Sequence, residues 1–526
     1  MIDLHRLVSD EAGDIAAGSP AADKLARQFG ALTGGDVYPE SIAARHGVAF
    51  FMLRKGLEKR LVLMWSAAAL PTLQSDFEGQ TITGQIDSAD VAGKICPTNA
   101  ANARALRRHI RWTGPSLIGL TKSVGLGDRL GLATPGHVRA VAGTDVAPVF
   151  AQQSIRELAR TERTPQDVID TVTWGVFQGG WRQPSGADAD HLKTIDDIEA
   201  TLAAGFCMFT IDPSDHVDND ADTADAGHLG EKFEALPWNE LECASSDWMN
   251  SYAGKAFALP GGLVLRFDRE DVLRAGVKYG SAVAHTCKLA RHLASRAGDR
   301  FELEMSVDET TTPTSLLEHY FVASELKRLR VRCVSLAPRF VGEFEKGVDY
   351  KGDLHRFERQ LAGHVAIARH LGPYKISIHS GSDKFSIYPI AAEHAGDLVH
   401  VKTAGTSYLE ALRVAATKAP GLFREVLDFA RERFDTDKAT YHISADLSRV
   451  PASEAIQDDD LPSLLDEHDA RQVLHVTFGS VLTWRRDDGG WLLRDRLLTM
   501  LMEHEHTYCQ MLAEHLGRHV DPFARR

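Results

Sequence analysis

From about residue 113 onward the chain alternates short apolar runs, rich in β-forming residues, with amphipathic stretches of helical period. The clearest runs are Val149-Phe150-Ala151 and the segments 206–211, 301–307, 331–336, 375–378, 398–401 and 440–444. One more fits at 116–120 or at 130–133, which makes eight. Between several of them a helical stripe is legible: Leu316, Leu317, Tyr320, Phe321 and Leu326 in one interval. Leu354, Phe357, Leu361, Val365 and Ala368 form another, with Asp353 placed as its N-cap. Strands alternating with such helices predict βαβ units and a parallel sheet. Eight of them favour an α/β fold closed as a (β/α)8 TIM-type barrel over an open doubly wound sheet.

Two intervals are too long for a single crossover. The interval from 210 to 301 holds the acidic stretch 218–225 and the aromatic segment 236–240, and reads as an insertion at about 218–300 after the third run. The interval from 154 to 205 carries Trp174 through Trp181. The expected organisation is an α+β extension over 1–112 and a catalytic barrel over 113–451. A helical closure over 452–526 follows the acidic linker Asp458-Asp459-Asp460.

Composition narrows the function. Lys+Arg 59 against Asp+Glu 73 gives a net charge of −14. That argues against a nucleic-acid or anionic-membrane binder, which needs a basic footprint. A small anionic substrate is still compatible, because a local basic pocket can sit in an acidic protein. Six cysteines form no CxxC or other metal spacing and suit a reducing compartment. Met1 to Arg6 lead into a polar stretch with no apolar signal region, and the most lipophilic run, 61–70, is too short to span a bilayer. The expectation is a soluble cytoplasmic protein whose partners are a small-molecule substrate and, in a homo-oligomer, its own copies.

In a barrel the active site lies at the C-terminal strand ends, so the residues after each run carry the chemistry. They collect His216, His355 and His379, imidazoles that suit a divalent Zn, Ni, Co, Mn or Fe ion and leave positions open for substrate oxygens. Asp215 and Glu309 are the carboxylates placed for proton transfer, with Asp212 a rival base. Arg339, Lys351, Ser382, Lys384 and Lys402 are candidate substrate contacts, the cations making the mouth locally positive. The Gly-containing segment 403–407 has the look of an anion cradle at a helix start. The competing reading of each is ordinary: a capped helix, a salt bridge or a solvated rim.

Several long strings carry a resemblance. Ser306-Val307-Asp308-Glu309-Thr310, Leu336-Ala337-Pro338-Arg339-Phe340 and Val348-Asp349-Tyr350-Lys351-Gly352-Asp353 resemble the tagaturonate/fructuronate epimerase family. So do the stretch from Ile376 through His379 to Ser386, the segment His400 to Thr406, and His475 to Thr483. The similarity runs from about 113 to about 510. It implies a metal-dependent C4 epimerase of 2-ketohexuronates, some members acting on neutral ketohexoses. It further implies Asp215 and Glu309 as proton acceptor and donor, and His216, His355 and His379 as metal ligands. Two other classes explain much of the same pattern: a metal-dependent aldose–ketose isomerase on the same barrel, and a non-catalytic sugar-acid-binding protein.

Overall fold

The computed structural model describes residues 19–525; the polar start expected at 1–6 lies outside them. Eight parallel strands close into a barrel. They are β1 (Ser123–Leu126), β2 (Ala147–Ser154), β3 (Gly186–Leu192) and β4 (Met208–Ile211). β5 (Glu302–Val307), β6 (Ser335–Pro338), β7 (Lys375–Ile378) and β8 (Val399–Thr403) complete it, and β8 pairs with β1 through Val401 opposite Val124.

The barrel strands alternate in an unusual sense. On β5, Leu303, Met305 and Val307 join the apolar layer under the helices, while Glu304 reaches Lys402 of β8 across the barrel interior. On β7, Ile376 and Ile378 face the same apolar layer, and Lys375 donates to Ser123 at 3.0 Å from the inner face. The interior of such barrels is ordinarily filled by branched aliphatics; here much of it is polar. The surrounding helices start where their sequences dictate. Ser315 and Glu318 form a capping box before Leu316–Arg328, and Asp353 accepts from the amides of His355 and Arg356.

Three details differ from the sequence expectation. The first strand lies at Ser123–Leu126, between the two candidate positions. The segment 440–444 is not a strand: β8 and β1 already pair, so the closed sheet has no edge for it. The eighth strand is instead β3, whose sequence Gly-Ala-Asp-Ala-Asp-His-Leu lacks an apolar run. The long insertion therefore follows the fourth strand. It contains two short helices, a two-stranded hairpin and the helix Arg269–Ala297.

Residues 36–97 form a six-stranded antiparallel sheet, with helix Pro20–Thr33 packed in its apolar cluster. Helices spanning 468–520 follow the barrel. Glu505 joins the two extensions. Its carboxylate takes Lys59 at 2.5 Å, Tyr38 at 2.7 Å, Gln178 at 2.7 Å and Arg54 at 3.1 Å. Among the described residues no helix is long and apolar enough to cross a membrane.

Burial alone would raise the Glu505 pKa, but Lys59 and the hydrogen bonds from Lys59, Tyr38 and Gln178 hold it below the ordinary glutamate value. A carboxylate with a depressed folded pKa stabilises the fold above its unfolded pKa and loses that contribution as pH falls through the folded one. Glu505→Gln is expected to cost about 2 kcal/mol at neutral pH and to flatten the acid limb of stability, measured by urea unfolding across pH 3–7.

Candidate active site

At the C-terminal ends of the strands lies a cavity of about 390 Å³. Its floor is a buried charge cluster centred on Lys402. The ammonium meets Asp188, Asp190 and Glu304, each at 2.8 Å, and Thr210 at 2.7 Å. Burial would strip its proton, yet the three carboxylates raise its pKa well above the usual lysine value. With its N–H donors engaged below, Lys402 has none left over for a substrate. Lys402, expected as a substrate contact, lines the cavity with its ammonium engaged by the oxygens of the floor.

Above Lys402 a kink in β3 sets the chemistry. Ala189 pairs with Phe209 and Leu192 with Ile211, so Asp190 and His191 together oppose the single residue Thr210. This is a β-bulge, and His191 takes a left-handed φ of 55° to form it. Successive strand residues normally point to opposite faces; the bulge lets Asp190 and His191 both line the cavity. Left-handed backbone at a β3 residue other than glycine or asparagine costs free energy.

His379, at the end of β7, faces the same point. Its Nε2 bonds Glu304 at 2.6 Å. Its Nδ1 lies 3.2 Å from Asp308 without hydrogen-bond geometry, and His191 Nδ1 likewise has no hydrogen-bond partner. Burial would lower the His379 pKa, but Asp308 and Glu304 overcome it and lift it to about 10. One ligand atom each from Asp190, His191 and His379 lie within 4.8 Å of one another. An imidazole oriented by a carboxylate on one nitrogen is how proteins present a histidine to a metal, and Glu304 orients His379 in this way. Two histidines and a carboxylate also suit first-row divalent ions. This donor set fits a metal.

The rest of the mouth comes from loops. Glu309 pairs with Arg156, and Arg339 faces the cavity with no hydrogen bond or ion pair from its guanidinium among the described residues. Tyr441 and His442, in the segment expected as a strand, line the cavity, with Arg160 over the Tyr441 ring at 4.7 Å. Ser382 is buried in the wall.

Several expected site residues stand elsewhere. His355 begins helix Leu354–Leu371 rather than a mouth loop; its side chain is 86% exposed and faces Glu358. His216 stacks on His285 of the insertion at 4.0 Å. Neither belongs to a potential ligand group with His379 among the described residues. Asp215, 67% exposed, pairs with Lys193 at 2.7 Å outside the cavity lining, whereas its rival Asp212 is buried 3.4 Å from His191. Lys351 pairs with Glu345 at 3.0 Å, away from the cavity. Lys384 is fully buried and donates to the carbonyls of Glu345, Val348 and Ser382; burial lowers its pKa to about 7. The 403–407 segment is not an open cradle: a Cβ on Gly405 would fall 1.9 Å from His475 Nε2.

The residues that sequence reasoning passed over are Asp190, His191, Arg156 and Lys346. For the first two a signal existed, because Ala187-Asp188-Ala189-Asp190 alternates with period two around acids instead of apolar residues. Arg156 and Lys346 lie outside the strand-end strings and carry no spacing signal.

With this geometry, comparison with known proteins is decisive. The family model described as UxaE, tagaturonate epimerase, matches residues 38–523. The chain belongs to the tagaturonate epimerase family. It is thus an enzyme of the isomerase class. A tagaturonate/fructuronate epimerase from Thermotoga maritima is 43% identical over 488 residues, covering 93% of this chain and 97% of that protein. Crystal structures of fructuronate-tagaturonate epimerase UxaE from Cohnella laeviribosi, native and with one glycerol, superpose with a TM-score of 0.87 at 38% identity. They cover 96% of this chain and 100% of theirs.

Lys402→Met leaves three buried carboxylates facing one another. Removing one partner of a buried ion cluster costs about 3–5 kcal/mol. Urea unfolding is expected to show a loss of that size, together with loss of epimerase turnover.

Proposed function

We propose that this chain interconverts D-tagaturonate and D-fructuronate by opening and re-forming the C3–C4 bond, with a divalent metal held by Asp190, His191 and His379. The observation that carries the reading is the convergence of Asp190, His191 and His379 on one point of the cavity, a potential ligand atom of each lying within 4.8 Å of the others. Such a cation, when bound, supplies the Lewis acidity that a developing enediolate at C2–C3 requires. It would take the place of the proton that Asp308 and Glu304 otherwise keep on His379.

The substrate dictates the route. In a 2-ketohexuronate the C4 hydrogen is α to neither the C2 ketone nor the C6 carboxylate, so enolisation cannot invert that centre. A retro-aldol step can. A base takes the C4 hydroxyl proton, C3–C4 breaks, the aldehyde turns, and C3 adds to its other face. Glu309 is the carboxylate that exchanges a proton with the C4 oxygen, and Arg156 holds it in place. Arg339, whose guanidinium has no partner among the described residues, anchors the C6 carboxylate. That favours a uronate over a neutral ketohexose, for which Arg339 would be left unpaired in the closed complex. The cavity volume suits one six-carbon sugar acid.

The test is metal analysis followed by activity with tagaturonate and with tagatose after chelation and metal return. Turnover is expected to vanish on chelation and return with the metal. His379→Gln is expected to lower metal affinity about 10–100-fold or more, read by titration with the metal alone. Full turnover in metal-free protein would sink the metal assignment. Arg339→Met is expected to raise KM for tagaturonate about tenfold or more, the loss of a charge-assisted pair, while leaving KM for tagatose unchanged.

A further inference from the structure

Inversion by C3–C4 cleavage sets a demand that Glu309 alone does not meet. When the aldehyde turns to show its other face, its oxygen swings to the other side of C4. The alkoxide formed on re-addition therefore needs a proton from a group placed across from the one that took the first. Asp215, the expected partner, lies outside the cavity lining. Most other groups in the mouth are committed. Asp190 is held by Lys402 and Asp308 by His379. The guanidinium groups that line the cavity, those of Arg129, Arg156, Arg160 and Arg339, are fixed charges by chemical nature and serve binding rather than proton transfer.

Lys346 differs from all of them. Its ammonium lines the cavity and donates to Ser380 Oγ at 2.6 Å, yet no carboxylate lies within ion-pair distance of it among the described residues. The backbone on either side of it is clamped. Buried Lys384 holds the carbonyls of Glu345 and Val348. Gln472 donates to the Lys346 carbonyl at 3.2 Å, and Arg471 to that of Gly347 at 2.5 Å. Such fixation of a four-residue loop presents one side chain at a fixed point, which proton transfer requires.

We propose that Lys346 is the second proton-transfer group, exchanging a proton with the C4 oxygen of the epimer whose hydroxyl points away from Glu309. This rests on the retro-aldol reading above. In one direction the Glu309 carboxylate takes the C4 hydroxyl proton and the C3–C4 electron pair goes to the enediolate. After rotation, C3 attacks the aldehyde carbon and the Lys346 ammonium protonates the new C4 alkoxide. Glu309 is left protonated and Lys346 neutral; solvent resets both, or the reverse turnover does. No oxidant or reductant enters. Burial lowers the Lys346 pKa from the ordinary lysine value, and Arg156 adds to this. Asp308, Glu309 and Glu157, which face it from the segments after β5 and β2, act in the opposite sense.

The experiment uses the full-length, metal-replete enzyme. Carbon-13 at C3 and deuterium at C4 of tagaturonate first test the route: a primary carbon effect without a primary deuterium effect is expected. The reverse pattern would remove the retro-aldol reading, and the Lys346 assignment with it. With the route supported, K346A and K346R are each expected to lose about 100-fold or more in kcat with KM little changed. Ethylamine added to K346A is expected to restore turnover, and the wild-type pH–rate limb set by Lys346 is expected to be absent in K346R. If K346R stays within about tenfold of wild type, the side chain serves as a fixed charge and the proposal fails. It fails equally if ethylamine returns no activity to folded K346A; should K346A not fold, the arginine variant and its pH profile decide.

Discussion

A single ammonium group in the middle of the barrel sets the terms for everything above it. Lys402 sits among Asp188, Asp190 and Glu304, each at 2.8 Å, where water cannot reach. Charges taken out of water at such cost persist only when each is paired and hydrogen-bonded. The arrangement therefore fixes the inward residues of four strands at once, from β3, β4, β5 and β8. Burial pushes Asp188 up to about 6, while Lys402 and His379 hold Glu304 well below the ordinary carboxylate range. Glu304 is the link between floor and mouth, since its Oε1 touches both Lys402 and His379 Nε2. A change of charge at His379 is thus felt by the floor, and Glu304 fixes the orientation of the imidazole.

The β3 bulge is the complement of that floor. Asp190 answers to Lys402 on one side and shares the mouth with His191, which is turned inward only because the strand carries an extra residue. A regular strand would send His191 toward the surrounding helices and reduce the candidate donor set to Asp190 and His379. The strain of a left-handed histidine is small beside the loss of that donor set. Strain of this kind gathers where a site over-determines its backbone, and Ser380 and Asp383 after β7 adopt left-handed φ as well.

How much of this the sequence made legible follows from where polarity and periodicity agree. β5, β7 and β8 were readable because their outward residues, such as Leu303, Ile376 and Val401, are apolar and alternate. β3 was not, because alanine replaces the bulky outward residue while the inward positions are Asp188 and Asp190. A search for apolar runs passes over such a strand, and the count of eight was completed with 440–444. That miscount moved the insertion from after the fourth strand to after the third. It also turned the search for ligands to His216 and His355, whereas the residues that the fold brings together with His379 are Asp190 and His191. His379, Glu309 and Arg339 were legible because each follows directly on a well-patterned strand. Lys346 depends on contacts from Lys384, Arg471 and Gln472, which lie far apart along the chain, and no local pattern announces it.

Those distant contacts explain why the helices after the barrel belong to the site rather than to a separate cap. Asp383 is gripped by Arg471 at 2.7 Å and by His515 at 2.5 Å, both from that segment. The next residue, Lys384, reaches the other way to hold the loop bearing Lys346. Ser380 and Ser382, on the same turn, face the cavity. The loops after β6 and β7 are therefore braced by helices that also lend His475 to the cavity wall. At the same time Glu505, on the helix that carries His515, is tied through Lys59, Arg54 and Tyr38 to the N-terminal sheet. A chain of buried or half-buried polar contacts thus runs from that sheet to the loop on which Lys346 stands. Both extensions contribute to placing a side chain within the barrel, and a barrel cut free of them would keep its floor but lose the geometry of its mouth.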